Sequence, residues 1–414
     1  MTTLNTVVED VVPGASTTDD ALAVARALAD RIREGAVSRE VEGRLPVEQL
    51  AWVAGSGLLG ILVPAEHGGP DLPQSTAVEV IRILSSADSA VGQLLLSHYV
   101  LSAGIRGLGQ NAPAPQIFAD VLAGAQLGNA SAERGTRTSA ERRTTIRKDA
   151  DGRWLLNGTK FYATGALGAS WIAVAARIED TEPAHGATVF IRPDASGVTL
   201  ELDKWSAFGQ RGTASGQVIL DDVAVDEEFV IDEGPDPDPL TSDPSVLGAF
   251  DQALHTAVDV GIGGAALRDG AEFVRTKSRP WFEAGVSSAD QEPHVVRRFG
   301  ELTAHLYALE ALLRRGAELI DAALAEPVLS RDSAAAASLQ VAAAKALAQE
   351  YAVEIASGVL ELTGTSASDG KYAFDRHWRN VRVHSLHDPA RWKYVHLGNH
   401  TLHGTRPPRL GVLL

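Results

Sequence analysis

Arginines, two histidines and a carboxylate are gathered in the eleven residues Arg379 to Pro389, which read Arg-Asn-Val-Arg-Val-His-Ser-Leu-His-Asp-Pro. If the segment begins as a helix, His384 and His387 lie three apart and share a face. Pro389 disfavours helical geometry at Asp388 and ends the helix there. Two imidazoles and a carboxylate then meet at a helix end, a set able to hold or move a proton near neutral pH. The competing reading is a solvated, charge-rich helix terminus. His98 stands in a run that is apolar almost all round, and taken alone it reads as a hydrogen-bonded core histidine. Gly261-Ile-Gly-Gly-Ala-Ala266 superficially fits a dinucleotide fingerprint, but a helical run precedes it where that motif needs a strand. These glycines therefore read as close-packing positions, and no nicotinamide site, P-loop or metal-ligand cluster is expected. The chain has no cysteine, which excludes disulfides, thiolate nucleophiles and cysteine-bound metal centres. Redox chemistry has to come from a bound cofactor.

The elements that must position these residues divide the 414-residue chain, which is too long for one ordinary core. Residues 1–17 are small and polar and read as a flexible arm. Helical spacing fills 18–127: Leu22, Val24, Ala25, Leu28 and Ile32 form one stripe, and further helices are expected over 75–86 and 90–108. Between them Gly57 to Gly69 reads as a helix end followed by an extended turn. Short strand-like runs separated by Asp-Gly, Asn-Gly and Ser-Gly turns mark an antiparallel β domain over 128–231. A linker rich in Asp and Pro, 232–244, leads to a helical bundle over 245–414, with long helices at 250–276, 295–325 and 331–362. Thirty-seven basic against 53 acidic side chains leave a net charge of -16, which repels nucleic acid and anionic membrane surfaces. No apolar run approaches the roughly 20 residues that cross a bilayer, and no basic residue opens the chain as in a signal peptide. A cytoplasmic protein without nucleic-acid or membrane partners is expected.

Helical domain, β domain and helical bundle, in that order, accompany four local motifs: Gly57-Leu-Leu-Gly-Ile-Leu-Val-Pro-Ala-Glu-His-Gly-Gly69, Leu156-Asn-Gly-Thr-Lys-Phe-Tyr-Ala-Thr-Gly165, Ala207-Phe-Gly-Gln-Arg-Gly-Thr213 and Arg379-Asn-Val-Arg382. On these the chain resembles the acyl-CoA dehydrogenase superfamily over nearly its whole length. Arg275-Thr-Lys-Ser-Arg-Pro-Trp281, His384-Ser-Leu-His-Asp-Pro389 and Gly398-Asn-His-Thr-Leu-His-Gly-Thr-Arg-Pro-Pro408 are similar to its flavin-dependent monooxygenase branch, the sulfur-acquisition oxidoreductases and dibenzothiophene monooxygenase. The resemblance implies an α+β fold with an N-terminal helical domain, a middle antiparallel β domain and a C-terminal four-helix bundle. It also implies reduced FMN supplied by a separate flavin reductase, with FAD the alternative, and a homotetramer in which each flavin is held partly by a neighbouring subunit.

The same resemblance assigns roles. Tyr162 and Thr164 are expected beside the flavin ring, Asn129, Thr138 and Ser139 along its pyrimidine edge and phosphate chain, and Trp205 near the pocket. Arg279, with Arg275 in reserve, is expected on the phosphate, which a guanidinium can grip with paired hydrogen bonds. His98 and His387 match the two histidines of the monooxygenase site, a match that overrides the core reading of His98. The implied chemistry passes through a flavin C4a-(hydro)peroxide that oxygenates a small, organosulfur substrate and needs a dry pocket with placed proton donors. Two alternatives are an FAD-dependent acyl-CoA dehydrogenase, for which Asp388 stands at or beside the position of the catalytic carboxylate, and a flavin-free binding scaffold. Asp251-Gln252 offers no clear substitute base.

Overall fold

The computed structural model describes residues 15–138, 141–235, 238 and 242–408. Among the described residues seven α-helices come first: α1 (Thr18–Arg33), α2 (Ala36–Glu42), α3 (Val47–Ala54), α4 (Gln74–Ser85), α5 (Ser89–Leu94), α6 (Leu96–Ile105) and α7 (Ala114–Leu122). Thr17 starts α1 by accepting the Asp20 N–H on its hydroxyl, with Asp19 and Asp20 against the positive end of the helix. Ala21, Ala25, Ala29 and Ile32 are its buried face, flanked by partly buried Leu22, Val24 and Leu28. Two details differ from expectation. The run after Gly57 is not extended but folds into 3₁₀ turns at Leu58–Leu62 and Ala65–His67. The helix expected over 90–108 is broken in two, because the Leu95 N–H turns back to the Gly92 carbonyl and tightens the ladder between α5 and α6.

Eight strands follow among the described residues: β1 (Gln126–Ala130), β2 (Thr145–Lys148), β3 (Trp154–Phe161), β4 (Ala169–Ile178), β5 (His185–Ile191), β6 (Val198–Glu201), β7 (Gln217–Val225) and β8 (Val230–Pro235). Their order is β6-β7-β3-β2-β4-β5-β8, with β1 also beside β4. The sheet is mixed rather than wholly antiparallel. β1 and β2 run parallel to successive stretches of β4, with Leu127 opposite Trp171 and Ile146 opposite Ile178. Asp232 to Pro235, expected in the linker, instead belong to β8 and pair with β5. One face of the sheet packs on itself around Ile146, Leu156 and Val189, and the other meets Phe118 of α7 through Trp171 and Phe190.

The bundle comprises α8 (Leu247–Thr276), α9 (Pro293–Leu324), α10 (Arg331–Thr363), α11 (Arg376–His384) and α12 (Ala390–His403). α8 is the central rod, buried on nearly all sides over its first two thirds. One apolar core runs from α1 and α4 through α8 to α9 and α10. The glycine run lies within α8, where a Cβ on Gly261 would approach the Arg82 carbonyl to 2.6 Å, so close helix packing is what it serves. α11 ends at His384, earlier than Pro389 alone suggested. Ser385 stays near helical geometry, the His387 N–H turns back to the His384 carbonyl, and His387 therefore sits in the turn before α12.

Candidate active site

β3 ends in a kink. Tyr162 has a left-handed backbone, φ 56°, a conformation costly for a bulky residue and typical of functional sites. The kink leaves the Tyr162 ring 47% exposed, edge-on to the Trp205 indole with centroids 6.1 Å apart. The Arg134 guanidinium lies 5.1 Å from the Tyr162 centroid and 4.7 Å from that of Phe161. Two residues on, the Thr164 carbonyl accepts the Asn129 N–H at 3.2 Å and the Ser97 hydroxyl at 3.2 Å. The Thr164 hydroxyl stands 2.9 Å from that of Ser215, which donates to Thr213. Asn129, Tyr162, Thr164 and Trp205 thus converge at one end of the sheet. Thr138 is exposed in the loop after β1, and Ser139 lies outside the described residues.

The turn carrying Trp205 is clamped onto α11. Gln210 donates its N–H to the Asn380 side chain at 2.7 Å, and Trp205 donates its indole N–H to the Gln210 carbonyl at 2.8 Å. Arg379 donates to the Phe208 carbonyl, and Phe208 stacks on Trp378. Gly209 is required here, since a Cβ would collide with the Arg379 carbonyl. The aromatic wall is therefore fixed to the helix that leads into His384 and His387.

Behind that helix lies a buried ionic cluster. Asp259 on α8 pairs with Lys345 on α10 at 3.0 Å and accepts from His384 Nδ1 at 2.6 Å. His384 Nε2 lies 3.0 Å from His255 Nδ1. The His255 ring stacks on His387 with centroids 3.8 Å apart, and its Nε2 lies 3.9 Å from the Asp251 carboxyl. Asp388 pairs with Lys393 at 3.0 Å, and its carbonyl accepts from Gln349. His387 is the outermost of the imidazoles, with its side chain 42% exposed.

Burial sets most of the protonation states. It pushes the Asp251 carboxyl up to about 6 against the opposing pull of His387 and Gln252. It drives His255 well below the ordinary imidazole range, helped by the neighbouring histidines and lysines. Burial also opposes charge on Asp259 and Asp388, yet both carboxyls sit below their usual range: Lys345 and His384 hold Asp259 there, and His387, Lys345 and Lys393 hold Asp388.

His98 is elsewhere and fully occupied. Its Nε2 reaches the Leu59 carbonyl at 2.8 Å, and its Nδ1 accepts the Leu127 N–H at 3.1 Å. Burial lowers its pKa to about 4, with the Leu59 carbonyl pulling the other way. No ring nitrogen is left to meet a ligand. Arg275, paired with Glu272 at 3.0 Å, and exposed Arg279 lie at the far end of α8. The twenty residues from His255 to Arg275 span about 30 Å of helix.

Three family models cover the chain: acyl-CoA dehydrogenase N-terminal domain over residues 20–124, middle domain over 128–223 and C-terminal domain over 253–392. The chain belongs to the acyl-CoA dehydrogenase family. Within it, dibenzothiophene monooxygenase of Rhodococcus qingshengii is 33% identical over 98% of both chains. The probable FMNH2-dependent monooxygenase SfnC of Pseudomonas putida is 30% identical over 94% of this chain and 96% of its own. The crystal structure of FMN-bound TdsC from Paenibacillus sp. A11-2 superposes with a TM-score of 0.88 at 30% identity, covering 95% of this chain and all of the other.

For an acyl-CoA dehydrogenase-family chain, the four residues absent from the sequence-based site are Asp251 as a working group, His255, Asp259 and Lys345. Three of them stand at successive fourth positions of a predicted helix, 251, 255 and 259, so one acidic and imidazole-bearing face was readable. Lys345 had no local signal, because its partner is 86 residues away.

Proposed function

We propose that this protein is a monooxygenase that uses reduced FMN and dioxygen to oxygenate a small organosulfur compound. The observation carrying this reading is the condition of Asp388. The carboxylate at or beside the position of a dehydrogenase base is buried, ion-paired to Lys393 and held ionised below its ordinary range. A base for a thioester α-proton needs a pKa near the working pH and reach toward the carbon. Asp388 has neither, while His387 beside it stands half in the open. The oxygenases among the chain's relatives support the same choice.

Tyr162 and Trp205 give an aromatic wall, and Thr164, Ser97, Asn129 and Arg134 surround it with hydrogen-bonding and cationic groups. That combination suits a flat heteroaromatic ring with polar edges. Reduced FMN, when bound, supplies the electrons that activate dioxygen. The chain supplies the rest: the kinked β3 end holds the ring edge, the clamped turn keeps Trp205 in place, and His387 manages a proton at the mouth. His98 acts at one remove, tying the Leu58–Leu62 turn to β1 two residues before Asn129.

Because about 30 Å of α8 separate Arg275 from His255, the ring that stacks on His387, the phosphate of a flavin beside His387 is gripped by Arg279 and Arg275 of a neighbouring subunit, within a cytoplasmic homotetramer. Reduced FMN comes from a separate reductase. A rival acyl-CoA dehydrogenase would need a working carboxylate base, and one experiment separates the two. Protein loaded with reduced FMN and given ¹⁸O₂ with a panel of sulfides, sulfones and sulfur heteroaromatics should incorporate label into product. Bleaching of bound flavin by an acyl-CoA thioester, with no label incorporated, would reverse the reading.

A further inference from the structure

The buried cluster has a direction. The Asp259 carboxylate, neutralised by Lys345, takes the Nδ1 proton of His384 at 2.6 Å. A neutral His384 then has only Nε2 left to accept, and at 3.0 Å it takes the Nδ1 proton of His255. A neutral His255 is left with a bare Nε2, which faces Asp251 at 3.9 Å. Each tautomer follows from the one before, and the order begins at a carboxylate with no surface of its own.

We propose that Asp251, His255, His384 and Asp259 form a proton relay that stores one proton behind His387 and returns it to the site during turnover. Loading is balanced. As the 3.9 Å between Asp251 and His255 Nε2 closes to hydrogen-bond length, a proton passes from the carboxyl to Nε2, the His255 Nδ1 proton moves to His384 Nε2, and the positive charge comes to rest on His384 against Asp259. Discharge runs the same transfers backward and leaves the proton on Asp251, from which half-exposed His387, stacked on His255, passes it to the site. This rests on the proposed oxygenase reading, in which oxygenation with anionic reduced FMN consumes a proton: FMNH⁻ + O₂ + S + H⁺ gives FMN + SO + H₂O. A largely buried reservoir delivers that proton with little water admitted, and water diverts activated oxygen to peroxide.

Among the described residues, the charged and titratable groups that act on the relay most strongly come from four elements. α8 contributes Asp251, His255 and Asp259, α10 contributes Lys345, the end of α11 and its turn contribute His384, His387 and Asp388, and α12 contributes Lys393. The two lysines offset Asp259 and Asp388 at 3.0 Å each. Asp251 is left as the carboxyl that can trade a proton, in keeping with its raised pKa. His255, His384 and Asp259 act through their neighbours and are positioning residues.

The test reads the tautomers directly. Magic-angle-spinning NMR of flavin-free protein labelled with ¹⁵N-histidine, with signals assigned through His255→Gln and His384→Gln, should show Nδ1–H and unprotonated Nε2 on both rings at alkaline pH. Asp259→Asn should switch the His384 tautomer. At that alkaline pH, a proton on Nε2 of either ring in the parent protein, or an unmoved His384 in Asp259→Asn, overturns the relay whatever the enzyme catalyses. In turnover, His255→Phe keeps the ring that stacks on His387 and removes the relay. Product formed per oxygen consumed should fall on the order of 100-fold, with peroxide in its place, and unchanged coupling also overturns the proposal. Should the parent transfer no oxygen at all, the proposed function falls while the tautomers still decide the relay.

Discussion

His98→Phe separates structure from chemistry at a residue whose position invites confusion. The side chain is fully buried, and its two nitrogens serve the Leu59 carbonyl and the Leu127 N–H. Phenylalanine fills similar space and leaves both backbone groups unpartnered, at about 1–3 kcal/mol each, or about 2–6 kcal/mol together. The loss also carries a pH signature. The folded pKa is about 4 against an ordinary 6.5, so the unfolded chain binds the extra proton between those values. Stability from this depressed value is therefore fully present above 6.5 and is lost as pH falls toward 4, about 3 kcal/mol in all. Urea titrations at about pH 7.5 and about pH 4.5 should show the gap between parent and variant narrowing by about 2–3 kcal/mol at the acid end. His255, His377 and His384 are shifted the same way but are present in both proteins, so they cancel. A variant as stable as the parent, or a gap indifferent to pH, would refute the account. Loss of oxygenation at full stability would return His98 to the catalytic site.

Three further outcomes follow from the geometry. His387→Ala should divert oxygen consumption to peroxide while FMN titration by fluorescence quenching is unaltered; unchanged product yield per oxygen would remove His387 from the mechanism. Lys393→Met leaves the Asp388 carboxylate buried without its ammonium partner and should cost about 3–5 kcal/mol in denaturation, part of which the added Asp388→Asn should recover. Arg279→Ala should weaken FMN binding by on the order of 10- to 100-fold, as for one charged hydrogen bond. Mixing it with Trp205→Ala subunits should restore some tight sites, and no recovery in the mixed assembly would argue against sharing between subunits.

Much of the fold was legible because its signals are local. The long helices α8, α9 and α10 announce themselves by unbroken periodic runs, and the starts of β3 and β6 by the Asp151-Gly152 and Ser196-Gly197 turns; the Asn157-Gly158 turn expected from the sequence is instead the middle of β3, where Asn157 pairs with Thr145 and Gly158 with Leu220. The parallel pairings of β1 and β2 with β4 were not legible, since register between distant strands is set by burial on both faces rather than by any turn. The site divides the same way. Tyr162 and Thr164 sit within one motif, so their placement side by side at the end of β3 was readable from the sequence. The hydrogen-bond partners of His98 were not legible, because they are backbone groups 39 and 29 residues away. The Arg379 to Pro389 stretch pointed to acid–base chemistry, but its deeper partner Asp259 is 125 residues from His384, beyond the reach of spacing arguments.

α8 carries one further consequence. Under the proposed assembly, its first half tunes the protons of its own subunit while its last turn grips the cofactor of the next. Such a helix answers to two sites at once and cannot be adjusted for one alone. A substitution that slides or rotates it should change peroxide leakage in one pocket and flavin retention in another together, so substrate range in this protein is constrained by the geometry of a neighbour's binding site.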